Sequence, residues 1–256
     1  VSPPAPHDVR GDAGPGLDFP TGWARRPAAR IVRAFLQDVI IIPLVWLLAP
    51  GSRRGLGTLK RHEGPYILAS NHQSHADTSI VLAALPRSLR RRLVVAAASD
   101  TFFNTRFHAI FAALVYNAIP IERHKVNRRS GDLARELLDE GWGLLIYPEG
   151  GRSPDGRIHE FKGGAAYLAD KSSAPVLPCY LENTRYVLPR LFAKTLPEPG
   201  DTHARIRTQV SVTFGPAIEK GEDESIRKLN RRIEEAIVHL GRDVAGDPLA
   251  SPPLAG

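Results

Sequence analysis

His72 and Asp77 are the pair in this chain whose types and spacing suit acid–base chemistry. They stand in Tyr66-Ile-Leu-Ala-Ser-Asn-His-Gln-Ser-His-Ala-Asp77, where an apolar run breaks into polar residues. An imidazole can take a proton from a hydroxyl near neutral pH, and a carboxylate beside it can fix its tautomer and steady the imidazolium. On one continuous helix, residues five apart point about 140° away from each other. The two side chains therefore meet only if the chain bends at Gln73-Ser74. The plainer reading of the same residues is a helix-capping aspartate and a histidine left in a turn.

The elements that must position the pair follow from periodicity. Tyr66 to Ala69 reads as a buried strand, and Ile80, Val81, Leu82 and Leu85 mark a helix after Asp77. Ser74 and Asp77 are spaced as in a capping box, so the helix should start beside His72, with His75 a surface residue of it. Beyond this unit, strands are expected at 66–70, 93–98, 118–121, 143–147, 175–181 and 206–214. Helices are expected at 75–85, 104–115, 127–140, 163–171 and 223–242, the last from Ile226, Leu229, Ile233, Ile237 and Leu240. Such alternation predicts an α/β fold, a largely parallel sheet covered by helices on both faces.

Three other stretches fall where strands should end, the usual place for sites in open α/β sheets. They are Ala118-Ile-Pro-Ile-Glu-Arg123, Tyr147-Pro-Glu-Gly-Gly-Arg-Ser153 and Ala174-Pro-Val-Leu-Pro-Cys179. Arg123 and Arg152 offer planar forks able to grip a phosphate, and Lys162 is a further cationic candidate. The turn Glu149-Gly150-Gly151 can present backbone N–H groups to an anion or an oxyanion. Glu149 could orient an arginine, bind an acceptor hydroxyl or form a structural ion pair. Cys179, the single cysteine, lies in an apolar run and reads as a buried inert thiol.

At 256 residues the chain can bury one sizeable core, and its net charge of +7 suggests an anionic partner. Residues 1–22, rich in Pro and Gly and lacking the charged start and apolar centre of a signal peptide, are expected to form a flexible tail. Residues 23–54 combine a helical apolar face (Ile31, Val32, Phe35, Leu36, Val39, Ile40) with Pro43, Trp46 and flanking arginines. The uncharged run from Val39 to Pro50 is too short to span a bilayer, which takes about 20 residues. A kinked helix or helix pair lying in the interface, with the basic flanks at headgroup level, is expected there; a core helix is the alternative. Arg87, Arg90, Arg91 and Arg92 could add to that footprint or simply be solvated. Residues 55–245 are then the α/β domain and 246–256 a second tail. No recognition-helix motif or aromatic-interleaved basic strand suggests nucleic acid, and no ligand cluster suggests a metal.

Taken in order, the four stretches resemble the motifs of the glycerolipid acyltransferases typified by lysophosphatidate acyltransferase. Asn71-His72 through Asp77 looks like that family's NHxxxxD motif, Ile119-Pro-Ile-Glu-Arg123 like its second, Tyr147-Pro-Glu-Gly-Gly-Arg-Ser153 like FPEGTRS, and Ala174-Pro-Val-Leu-Pro178 like its fourth. Asn117 replaces a family glycine, Gly151 replaces the FPEGTRS threonine, and Val95 to Phe103 carries no lysine where many relatives have one. The resemblance implies a glycerol-3-phosphate acyltransferase-like fold, with His72 and Asp77 catalytic and Arg123 beside the acyl acceptor. It also implies fatty acyl transfer from acyl-CoA or acyl carrier protein to a lysophospholipid hydroxyl, first of all 1-acylglycerol 3-phosphate, giving phosphatidic acid. The enzyme would need no cofactor beyond its acyl donor and would be peripheral or monotopic on the cytoplasmic face of an anionic membrane. Other readings of the same residues are a different hydroxyl acceptor (glycerol 3-phosphate, a glycolipid or a polyol), an acyl thioesterase, or a lipid-binding protein without activity.

Overall fold

The computed structural model describes residues 16–60, 64–122, 128–153, 155–187 and 208–245. Among these described residues, seven strands form one sheet in the order β1-β7-β6-β2-β5-β3-β4. They are β1 (Gly51–Arg54), β2 (Tyr66–Ser70), β3 (Leu93–Ala98), β4 (Ala118–Ile121), β5 (Gly143–Ile146), β6 (Val176–Glu182) and β7 (Val210–Phe214). The run β6-β2-β5-β3-β4 is parallel throughout; β7 pairs antiparallel to β6, and β1 parallel to β7. The helices are α1 (Pro27–Phe35), α2 (Ile42–Leu48), α3 (Leu56–Lys60), α4 (Asp77–Ala84), α5 (Arg87–Arg91), α6 (Ser99–Phe102), α7 (Arg106–Tyr116), α8 (Arg128–Asp139), α9 (Gly164–Ser172) and α10 (Ile226–Ala245).

Strand β2 is buried on both faces at every position, which is why it reads as a continuous apolar run rather than an alternating one. The core divides accordingly. Leu68, Val81, Leu82, Ala109 and Leu145 pack on the α4/α7 side, whereas Ile67, Ile146, Leu168, Leu229 and Ile233 pack under α8, α9 and α10. Gly143 opens β5 because the Tyr66 ring lies against it: a Cβ there would come within 2.4 Å of Tyr66 Cζ. Asn117 ends α7 in the left-handed region at φ 53°, and its side-chain amide donates to Leu93 O at 2.9 Å. Asparagine tolerates that conformation better than other side chains, so it can stand where glycine otherwise would.

The expected architecture is observed, with two differences at its amino-terminal edge. Strand β1 was not anticipated: four residues with two arginines and no buried position give no strand signal, and its role is to edge the sheet beside β7. The second difference is length. Pro27–Leu48 is a single helix of 22 residues, the one-helix form of what was expected, and by length and composition it is long and apolar enough to cross a membrane, which the uncharged run from Val39 to Pro50 alone is not. A π-helical turn, Leu36–Ile41, joins α1 to α2, with the Ile42 N–H donating to Gln37 O five residues back. That widened turn shifts the ladder where Pro43 lacks a donor and would crowd a carbonyl.

The helix is docked along the domain by its polar residues. Arg33 donates to Ala24 O at 2.8 Å, Gln37 to Val115 O at 2.8 Å, and Asp38 accepts from Arg87, Arg90 and Arg91 at 2.8, 2.8 and 2.6 Å. Three of the four basic residues 87, 90, 91 and 92 are thereby committed to holding the helix. Within the stretch read as a tail, residues 16–22 pack on the domain: Gly16 N–H donates to Phe103 O at 3.0 Å, and the Phe19 ring meets Phe103. Residues 1–15 and 246–256 lie outside the described residues.

Candidate active site

The bend on which the pair depends is present. His72 follows β2, and its Nδ1 lies 2.8 Å from Asp77 Oδ2. The same oxygen accepts the backbone N–H groups of Gln73 at 2.6 Å and Ser74 at 2.9 Å. Asp77 is fully buried at the first turn of α4, which begins at 77 rather than 75, so its carboxylate caps the loop and faces the imidazole together. An ionised carboxylate can only accept, so Nδ1 carries the proton and Nε2 presents a lone pair. That is the tautomer a general base needs.

The loop after β5 builds the other wall. The Tyr147 ring stacks on His72 at 4.0 Å between centroids and 19° between planes, and its hydroxyl lies 3.0 Å from Thr78 Oγ1. Burial, followed by the Asp77 charge, holds this phenol far above its ordinary pKa, with the Thr78 hydrogen bond offsetting only part. It is therefore a neutral platform. Glu149 is buried and faces inward: Oε1 accepts His72 N–H at 2.8 Å, and Oε2 accepts Ser153 Oγ–H and His159 N–H, the latter at 3.1 Å. Ser153 N–H returns to His72 O at 2.7 Å. These bonds make Glu149 a clamp between two loops, a role apart from the three considered for it.

Gly150 adopts φ +70° and donates its N–H to Tyr147 O at 3.0 Å, closing the turn. Lys162 passes over it, with Nζ 2.7 Å from where a Cβ would stand, so the lysine is brought to this turn. Around Gly151 a Cβ would meet nothing within 4 Å, so the family's threonine would have room there. Arg152 is close enough to His75 for its charge to lower the His75 pKa. Arg123 lies outside the described residues.

Three features were not anticipated. Asn71 uses both ends of its amide on Leu181, donating to O at 2.9 Å and accepting N–H at 2.7 Å, and so pins the end of β2 to β6. The Tyr147 stack could be foreseen only from an aromatic at the strand end. His75 precedes α4 and is half-buried: it meets Phe102 edge-on at 6.4 Å, while burial, then Arg152 and His72, depress its pKa against the pull of Asp77. It belongs to the mouth of the site, not to a solvent-facing helix surface. Cys179 is buried and its thiol is pushed up to about 12 by desolvation, as expected of an inert thiol.

A histidine–aspartate pair at the carboxyl end of the parallel strands, beside a Gly-Gly-Arg turn, is a candidate acid–base site. A family model described as Acyltransferase matches residues 54–182, half of the chain, and the chain belongs to that family. It is 30% identical to the 1-acyl-sn-glycerol-3-phosphate acyltransferase of Pseudomonas aeruginosa over 71% of this chain and 65% of that one. It is also 30% identical to the chloroplastic 1-acyl-sn-glycerol-3-phosphate acyltransferase BAT2 of Brassica napus, over 53% of this chain. The chain spans 38% of the length of the Brassica enzyme, well under two thirds. The crystal structure of the 1-acyl-sn-glycerophosphate (LPA) acyltransferase PlsC from Thermotoga maritima shares the fold, with a TM-score of 0.63 at 19% identity, over 86% of this chain and 83% of that one.

Proposed function

We propose that the protein is a membrane-associated O-acyltransferase that moves a fatty acyl group from a coenzyme A or acyl carrier protein thioester to a lysophospholipid hydroxyl. The acceptor we assign is 1-acylglycerol 3-phosphate, and the product phosphatidic acid. The observation that carries this reading is the 2.8 Å contact between His72 Nδ1 and the fully buried Asp77 carboxylate, which leaves Nε2 to act as base.

His72 Nε2 takes the proton as the acceptor oxygen attacks the thioester carbonyl. The tetrahedral adduct collapses, the C–S bond breaks, and the imidazolium returns the proton to the departing thiolate, leaving an ester and a free thiol. Asp77 steadies the imidazolium in between. Arg152 and Lys162, joined by Arg123, are the cations we assign to the acceptor phosphate, and the Gly150–Gly151 turn flanks the developing oxyanion. The names of the relatives support the acceptor, and the cations support a phosphate.

The membrane reading rests on where apolar side chains are exposed. Among the described residues, all exposed large hydrophobics belong to Pro27–Leu48, α6 or α7: Ile31, Phe35 and Leu47 on the first, Phe102 on α6, Phe107 and Phe111 on α7. With its polar residues turned to the domain, the helix suits monotopic docking, which we assign to the cytoplasmic face of the membrane. A lysolipid could then reach the site without leaving the bilayer.

Purified protein given labelled acyl-CoA and a panel of lysophosphatidate, glycerol 3-phosphate, a glycolipid and a polyol should acylate lysophosphatidate. His72→Ala and Asp77→Asn should each lower turnover by about 10² to 10⁴, with circular dichroism unchanged for the first. Full turnover in His72→Ala would sink the mechanism. Fatty acid released without any alcohol would assign a thioesterase instead.

A further inference from the structure

A cavity of about 460 Å³ opens between the N-terminal helix and α5, lined by Arg30, Ile31, Arg33, Gln37 and Arg91 among others. It is not part of the catalytic site. Arg91 precedes β3 and Trp142, over whose ring Arg30 lies at 5.8 Å, precedes β5. His72 and Tyr147 follow the opposite ends of strands parallel to these, roughly 16 Å away at about 3.3 Å per residue.

Each arginine has a fixed partner that does not line the cavity. Arg33 donates to Ala24 O at 2.8 Å, Arg91 to Asp38 Oδ2 at 2.6 Å, and Arg30 rests on Trp142. Among the described residues, no carboxylate lines the cavity. Arg33 is only 6% exposed, and its pKa falls to about 10 through burial and then repulsion from Arg30, Arg25 and Arg91. A buried guanidinium ringed by like charges is costly, and an anion in the cavity would relieve it. Its lip is apolar: Ile31, 70% exposed, lines the cavity and lies one turn from exposed Phe35 on the apolar face.

We propose that this cavity binds the phosphate of an anionic phospholipid headgroup, whose acyl chains run along Ile31 and Phe35, at a site separate from catalysis. It would hold one end of the apolar face on the bilayer while the other end, at Phe102 and His75, opens to the active site. The inference rests on the membrane-docking part of the proposed function and not on acyl transfer.

Vesicle flotation of the full chain separates the two. Phosphatidylcholine vesicles report docking alone, and vesicles with roughly one part in five phosphatidylglycerol add a negative surface. We expect tighter binding to the second. Arg30→Gln, an exposed position, should lower that anionic gain about fivefold, the worth of one basic side chain at a charged bilayer. Arg227→Gln, on α10 under the other sheet face, makes the same charge change and should leave the gain intact. Equal losses in the two variants, or equal binding of the native chain to both vesicles, would overturn the site while leaving docking in place. Failure to bind either vesicle would overturn both. Inorganic phosphate at matched ionic strength should not displace the protein; displacement would assign the cavity to the free ion and overturn the lipid.

Discussion

Asp77 accepts three hydrogen bonds on a single oxygen, while its Oδ1 is buried without a partner among the described residues. One atom thus fixes the loop and the imidazole, so neither can shift without the other. His75, beside the pair, gives this geometry a pH signature. Its pKa is lowered from 6.5 in the folded chain, by burial first and then by Arg152 and His72. Between that depressed value and 6.5 the unfolded chain binds more protons, so stability rises with pH there and is lost on acidification through the window. The melting temperature should therefore fall between neutral pH and about pH 5, and His75→Asn should flatten that part of the slope. Parallel profiles for the two proteins would show that His75 is not the group responsible.

At the scale of elements, Asp38 ties the N-terminal helix to α5. Its carboxylate gathers Arg87, Arg90 and Arg91, which outweigh the opposing effect of burial and hold its pKa below the usual range. Arg90, 9% exposed, also donates to Leu82 O and Leu85 O and so closes the end of α4. Asp38→Asn should cost about 1–3 kcal/mol, because it leaves a buried guanidinium less compensated. Urea denaturation measures the loss, and hydrogen exchange should rise over 27–48 before it rises in the sheet. The sequence offered Asp38 only as a charge interrupting an apolar face. Its partners are about 50 residues away in the chain, and no local pattern reports such a contact.

The whole molecule is polarised. The α8, α9 and α10 side is covered by helices with charged outer faces, whereas the helix 27–48 and α7 expose aromatic and aliphatic residues. A surface of this kind marks an interaction site. Phe107→Ser and Phe111→Ser should each weaken binding to phosphatidylcholine vesicles, by about tenfold where the ring is fully inserted. Both rings are at least half exposed, at 75% and 50%, so the melting temperature should barely move. Unchanged vesicle binding in the double variant would remove α7 from the docking face.

The sequence by itself determined the α/β alternation, the positions of six strands, the ordered motifs and the buried thiol of Cys179. These are carried by apolar periodicity and residue type, which act over a few neighbouring positions. It left open whether His72 could reach Asp77, because two residues five apart meet only through a bend that backbone bonds must stabilise. The tertiary structure decided that, through Asp77 on the loop amides and Glu149 across 77 residues on His72 N–H. It also decided that Asn71 is a fastener to β6, that Gly51–Arg54 is an edge strand, and that a proline-containing helix stays continuous. The first two depend on partners distant in the chain, specified only once the sheet has assembled, and the third on a local π turn that apolar periodicity does not report.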